Sequence, residues 1–408
     1  MAYNGPSSHY YAATEGSGVQ LSGVPSSSWS WSALKSGPPP INSPFVNAVD
    51  TVNASGGDMD VLVATQGGGI SRTGSTQWNT ANSGFSAAHI NDIKYYNNGP
   101  GYQFLATRGG GVFRFDGSNW EHLLAVPPNN GKERFVLALE VDGNGNLYAL
   151  HEGGIHVLPS AHTAATSTPW LSFNTGGSSI PTLAQLSDVK ISGTNLYVSA
   201  KGTNGQEGVY KSTCLYNGST CQTGDWSKVN TNNVFSLAAH RTNSAIIYAG
   251  RQDGNIDYTT NSGLTWNTHT TGFGLPVVDM HAPTWSGYTE DIFAVASNDF
   301  GSAQIKRYNA AGSNWLNFNG NIVSNKSSLS ILSDDNQTGT LFVGLKNGGV
   351  YRSTDGLSTG TVIWDAFNGG SASLPMVDLS PLSLFINSGN LYAGTDGKGL
   401  YRTCTSAC

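Results

Sequence analysis

The stretch Thr340–Gly356, TLFVGLKNGGVYRSTDG, decides the fold. An apolar run of strand length ends at the turn Lys346-Asn347-Gly348-Gly349, an alternating run follows to Ser353, and a polar turn opens at Asp355. Two short β-rich runs joined by a Gly-containing turn read as a β-hairpin. The same pair recurs along the chain. First members are VLVAT at Val61, QFLAT at Gln103, NLYAL at Asn146, NLYVSA at Asn195, IIYAG at Ile246, DIFAVA at Asp291 and NLYAGT at Asn390. Second members include GGGISRT at Gly67, GGGVFRF at Gly109 and GVYKST at Gly208.

Outward from the hairpin, a further strand precedes it, as in INDIKYY at Ile90, LSDVKIS at Leu186, VVDMHAP at Val277 and MVDLSPL at Met376. A tryptophan strand follows it. Trp31, Trp78, Trp120, Trp170, Trp226, Trp266, Trp315 and Trp364 are separated by 47, 42, 50, 56, 40, 49 and 49 residues. A period of about 40–50 residues with four strands per unit is the pattern of a propeller blade. The sequence therefore predicts an all-β fold, a single eight-bladed β-propeller of four-stranded antiparallel blades. After Trp364 three strands remain, and SWSWSAL at Ser28 has none before it, so the N-terminal strand is expected to join the three C-terminal strands and close the ring. Seven blades with one irregular unit is the alternative, since the insertion between Cys214 and Trp226 shows that units vary in length. The expected division is an N-terminal extension over 1–25, the propeller over 26–404 and a tail over 405–408.

Composition agrees and narrows the function classes. Only 11% of the 408 residues are Asp, Glu, Lys or Arg, against roughly 25% in soluble domains. With 20 basic and 26 acidic residues and no basic cluster, the chain lacks the footprint that nucleic-acid phosphates require. No apolar run reaches the length of about 18 residues that a membrane helix needs. Cys214 with Cys221, and Cys404 with Cys408, are spaced for local disulfides rather than for a zinc site. Disulfides and a low-charge surface point to an extracellular, periplasmic or cell-surface location. No apolar leader follows Met1, and the chain reads as a mature form.

The unit at Thr340, the segment NLYAGTDGKGLYRT at Asn390 and the turn TTNSGLTW at Thr259 resemble the Asp-box (BNR) repeat of sialidases, xyloglucanases, sortilin-type receptors and photosystem-assembly propellers. The resemblance implies a turn between the third and fourth strands at the ring's periphery, with the tryptophan packed inward. Copies here are degenerate: RTGSTQW at Arg72 lacks the Asp, and Asn261 replaces it in TTNSGLTW. The resemblance also implies that ligands bind where the turns between second and third strands crowd one mouth of the channel. Those turns carry Gln66, Arg108, Glu152, Glu207, Arg251 with Asp253, Asp299, Lys346 with Asn347, and Asp396 with Lys398. They read either as a polar funnel that hydrogen-bonds a neutral glycan or as ordinary exposed turns.

Asp92, Asp188, Asp279 and Asp378 occupy one repeat position of the first strands, where other units have Ala48, Ala138, Ser236 and Ser330. Two carboxylates about 5 Å apart, or about 6.5–9.5 Å apart, would serve a glycosidase. Repetition from blade to blade argues instead for a structural carboxylate facing the channel or holding backbone of a neighbouring blade. TDGKGLYR at Thr395 is similar to the xyloglucanase turn that carries a catalytic Asp, which makes Asp396 the catalytic candidate. The Arg-Ile-Pro segment of sialidases is absent. Trp285 and Trp29 lie outside the eight repeat tryptophans and are stacking candidates for a sugar ring or core residues. The nine histidines show no HExxH and no closely spaced pair, so no metal and no cofactor is expected. The sequence thus leads to a binding propeller for a polysaccharide or glycoconjugate, with a xyloglucanase-like hydrolase or a protein-docking scaffold as alternatives.

Overall fold

The computed structural model describes residues 89–404 apart from loop stretches, of which 124–134, 175–178, 299–302, 323–327 and 368–380 are the longest, and ahead of them the backbone of the strands between residues 2 and 80. Among the described residues there are strands and turns but no helix. The sheets are antiparallel meanders in which each strand pairs with the next in sequence. Blade 1 is typical: Ile90–Tyr96, Tyr102–Thr107, Gly111–Phe115 and Trp120–Leu123, read from the channel outward.

The ring has seven blades, the alternative reading. Its innermost strands are Ile90–Tyr96, Val136–Val141, Gln185–Ser192, Val234–Ala239, Val277–His281, Ser328–Ser333 and Pro381–Asn387. Each packs beside the next, and the seventh packs beside the first. Among the described residues, blades 1 to 6 have four strands and blade 7 has three. The expected closure by an N-terminal strand is not the one observed. Ser32–Ala33 pairs with Val19–Gly23 in a separate sheet over residues 2–33, and a further four-stranded sheet spans 46–80. The ring closes without them because blade faces, not peripheral strands, make its joints. Ile90, Ile93 and Leu105 of blade 1 bury against Tyr392 of blade 7. The described inner strand of blade 7 is Pro381–Asn387, which shares only Pro381 and Leu382 with MVDLSPL, and Asp378 lies outside the described residues.

Blade-on-blade packing explains why the second strands are apolar throughout. Leu341–Leu345 is buried at every residue, because neighbouring blades cover both faces of the sheet. Between blades 2 and 3, Tyr148, Leu150, Val157 and Phe173 interlock with Val189, Val198, Tyr210 and Trp226. At about 1.5–3 kcal/mol for each large apolar side chain removed from water, these joints dominate stability. The small residue near the end of each second strand has a steric cause. A Cβ on Gly250 would lie 2.7 Å from Val277 of the next blade, and one on Gly394 would lie 2.6 Å from Ile90.

The repeat tryptophans do the same work at the periphery, unevenly. Trp226 and Trp364 are buried, and their indole N–H groups donate to the carbonyls of Phe173 and Phe318 in the preceding blade at 2.9 and 2.8 Å. Trp120 is exposed. Cys214 and Cys221 form the expected disulfide, within the turn between the third and fourth strands of blade 3. The Cys404–Cys408 pair lies outside the described side chains.

The turn at Thr259 is held by a side-chain bond of Asn261. Its Oδ1 accepts from Thr265 N–H at 2.9 Å, and Thr259 Oγ1 accepts from Gly263 N–H at 2.9 Å.

Candidate functional site

Seven strands converge on the channel, and each bears a bulge one residue before the repeat position, as the pairing shifts at Leu186/Asp188 and Val277/Asp279 show. A bulge bends its strand and re-aims the next side chain. The residues so aimed are Asp92, Ala138, Asp188, Ser236, Asp279, Ser330 and Ser383.

The three aspartates act alike. One carboxylate oxygen of Asp92, Asp188 and Asp279 accepts the following N–H, of Ile93, Val189 and Met280, at 2.8 Å in each case. The other oxygen accepts a backbone N–H of the next blade, from Leu139, Leu237 and Ile331, at 2.9 Å in each case. Blades 1, 3 and 5 are thereby clamped to blades 2, 4 and 6. Ser236 donates to Val277 O at 2.8 Å, linking blade 4 to blade 5. Ser383 donates to Asp92 Oδ1 at 3.3 Å, across the closing joint. Alternation keeps like charges off adjacent strands of a narrow channel, and in a ring of seven two neighbouring blades must both lack the acid. Here these are blades 6 and 7.

One pleat further along, on the same face, stand Lys94, Glu140, Lys190, Ala238, His281, Leu332 and Phe385. Lys190 is bound to Asp188 at 2.8 Å, and Lys94 lies 3.7 Å from Asp92 and 3.8 Å from Glu140. Both layers, apart from the buried Ser236 and Ser330, line a cavity of about 580 Å³. Burial pushes the Glu140 carboxyl up, against the opposing pull of Lys94 and Lys190. Burial raises Asp279 to about 7, its N–H donors Ile331 and Met280 notwithstanding. His281 is lowered to about 4 by burial and by the Arg241 charge, and its Nε2 lies 2.9 Å from Ser333 Oγ. Burial works to lower Lys190, but Asp188, Glu140 and Asp92 outweigh it and hold the ammonium above the ordinary lysine range. Lys94 and Lys190 are largely buried but stay 21% exposed.

The turns between second and third strands stand apart from this cavity. Arg108 is exposed with its guanidinium 4.6 Å from the centre of the Phe135 ring. Arg251 is tied to Asp253 and, at 3.2 Å, to the buried Asp257, which also accepts from Asn230, Asn232 and Thr268. Glu207 and Lys346 are half-buried. None of these five lines the cavity. Gln66, Glu152, Asp299, Asn347, Asp396, Lys398 and Trp29 lie outside the described residues. Trp285 offers no stacking face: it is 2% exposed, packed edge-on to Phe293, and donates to Asp334 O at 2.9 Å.

Sequence reading missed the second channel layer, although its signal was present. Asp92-Ile-Lys94, Asp188-Val-Lys190 and Asp279-Met-His281 repeat an acid and a basic residue two apart, one strand period. It also missed a histidine pair. His151 and His156 meet across the turn between second and third strands of blade 2, with Nε2 and Nδ1 2.6 Å apart, and burial lowers His151 to about 3, with His156 acting in the same direction. Among the described residues no group of three His, Cys, Asp or Glu side chains is placed to hold a metal.

The relatives of this architecture are propellers. The likeness shows the fold alone. No protein-family model matches the sequence, and no curated protein matches it. Among solved structures, the GH74 xyloglucanase of Xanthomonas campestris superposes with a TM-score of 0.56 at 15% identity over 78% of this chain and 52% of its own. YCF48 bound to D1 peptide gives 0.56 at 12% identity, covering 79% of this chain and 95% of that one. The extracellular domain of a one-component system from B. thetaiotaomicron gives 0.54 at 17% identity, covering 78% and 38%.

Proposed function

We propose that this chain is an extracellular binding propeller that recognises a polysaccharide or glycoconjugate without transforming it. One observation carries the reading. Each channel aspartate with a described side chain spends both oxygens on backbone amides. A glycosidase acid must instead be free to give a proton to the leaving oxygen, and its partner to attack or to activate water. The polar residues that remain suit hydrogen bonding to hydroxyls. The disulfide and the likeness to extracellular domains support the location.

The xyloglucanase-like alternative rests on Asp396. A protein-docking role is the second alternative, favoured by the likeness to YCF48 in its complex with a peptide. A glycan array followed by a reducing-sugar assay on each hit separates the three. Binding without release of reducing ends supports the proposal. Release of sugar that Asp396→Asn abolishes would establish the hydrolase. An array with no hit removes both sugar readings and leaves the docking role.

A further inference from the structure

We infer that the channel cavity, entered from the face of the hairpins between first and second strands, binds one terminal unit of a net-neutral saccharide; this deepens the proposed function and rests on its glycan reading. The face is opposite to the one the turn residues suggested. The cavity lining begins at the bulge level, at Asn91, Ser187 and Val278, and runs on to Arg241 and Ala282 beyond the ends of the inner strands of blades 4 and 5. Residues immediately before the bulges, such as Ile90, Val234 and Val277, are buried and form no part of it. At the far rim Arg241 is 44% exposed and bound to Asp335, 2.6 Å away. The opening is therefore on the Arg241 side.

Three properties define the ligand. Charge comes first. The cations of the cavity already have anions: Lys94 between Asp92 and Glu140, Lys190 on Asp188, Arg241 on Asp335. A ligand of either sign would break such a pair or add an unbalanced charge in an enclosed site, which is costly. Hydrogen-bonding capacity comes second. The Lys94 ammonium sits 3.7 and 3.8 Å from its two carboxylates, beyond hydrogen-bond length, so its protons and the Glu140 oxygens are available to a group placed between them. Hydroxyls, each donor and acceptor at once, fit that mixture. Shape comes third. Leu332 and Phe385 stand at the same level as Lys94 and Glu140, so one wall of the cavity is polar and another apolar, as the edge and the C–H face of a pyranose require. A cavity of about 580 Å³ lies in the range of small-ligand pockets, and its walls of seven strands admit a chain end rather than a chain interior.

The test uses the full chain and a fixed panel: cellobiose, lactose, chitobiose and trehalose, with glucuronic acid and glucosamine as charged controls. Titration calorimetry on wild type, Lys94→Met and Glu140→Gln is joined to an acetylation footprint of lysines on the unmodified protein, a readout indifferent to variant folding. The expected result is binding of at least one neutral disaccharide, a loss of tenfold or more in both variants, and protection of Lys94 but not of Lys228, which is exposed on the outermost strand of blade 3, Trp226–Asn230. Binding that leaves Lys94 unprotected and is weakened by Arg108→Ala would overturn the channel site while keeping the glycan reading. Tighter binding of either charged control would overturn the net-neutral assignment. If no saccharide of the panel or of the array binds, the glycan reading itself fails and the channel site falls with it.

Discussion

Replacing Asp188 by Asn tests the clamp that joins blades 3 and 4. Asn keeps one acceptor oxygen but presents an amide NH₂ where the second oxygen stood. Of the two N–H groups now served, Val189 and Leu237, one faces a donor and is left unsatisfied, at about 1–3 kcal/mol for a buried group. Lys190 loses the carboxylate 2.8 Å away, and breaking a buried pair from one side costs about 3–5 kcal/mol. The cavity leaves Lys190 21% exposed, so water recovers much of that, and about 1–2 kcal/mol remains. The expected total is about 3 kcal/mol, read as a lower urea midpoint at constant slope. The variant Asp188→Asn with Lys190→Met should be more stable than Asp188→Asn alone, because no orphan charge remains. A loss below about 1 kcal/mol, or no recovery in the double variant, would refute the clamp and its coupling to Lys190.

Three further outcomes follow from the same geometry. Trp226→Phe removes the indole donor to Phe173 O while keeping an aromatic ring, and should cost about 1–2 kcal/mol in denaturant unfolding, whereas Trp120→Phe, at an exposed position, should cost less than about 0.5 kcal/mol. His151 and His281, lowered to about 3 and 4, stay neutral in the fold while the unfolded chain takes protons below about 6.5, so stability falls as pH drops through that window. Asp279, raised to about 7, holds its proton in the fold where the unfolded chain has lost it, so it opposes that trend between about 4 and 7. Asp279→Asn should therefore steepen the acid loss, and a pH series of unfolding midpoints with unchanged slope would contradict the burial of this carboxyl. Finally, Cys214→Ser with Cys221→Ser opens a loop of only seven residues' separation already fastened by Asn217 to Cys221, and should cost about 2 kcal/mol or less, with new proteolysis confined to residues 213–225.

The repeat alone determined the blade. Period, turn residues and the alternation of apolar runs are local properties, so the four-strand meander, the blade-to-blade tryptophan and the Cys214–Cys221 bridge were legible in the sequence. The repeated aspartate was legible too, because recurrence marks a structural post, and its bonds to the next blade explain the recurrence. The blade number was not. Eight tryptophan strands count units, but closure depends on which two faces meet, and Tyr392 packs on Ile90 and Ile93 whether or not an N-terminal strand joins blade 7. The candidate site was decided by tertiary structure for the same reason. Lys94, Glu140 and Lys190 lie about 50 residues apart in sequence and come together only because a bulge in each inner strand aims them into one channel. Trp285, which the repeat left unassigned, was claimed by the core, since an indole flanked by Phe293 and hydrogen-bonded to Asp334 is worth more buried than exposed.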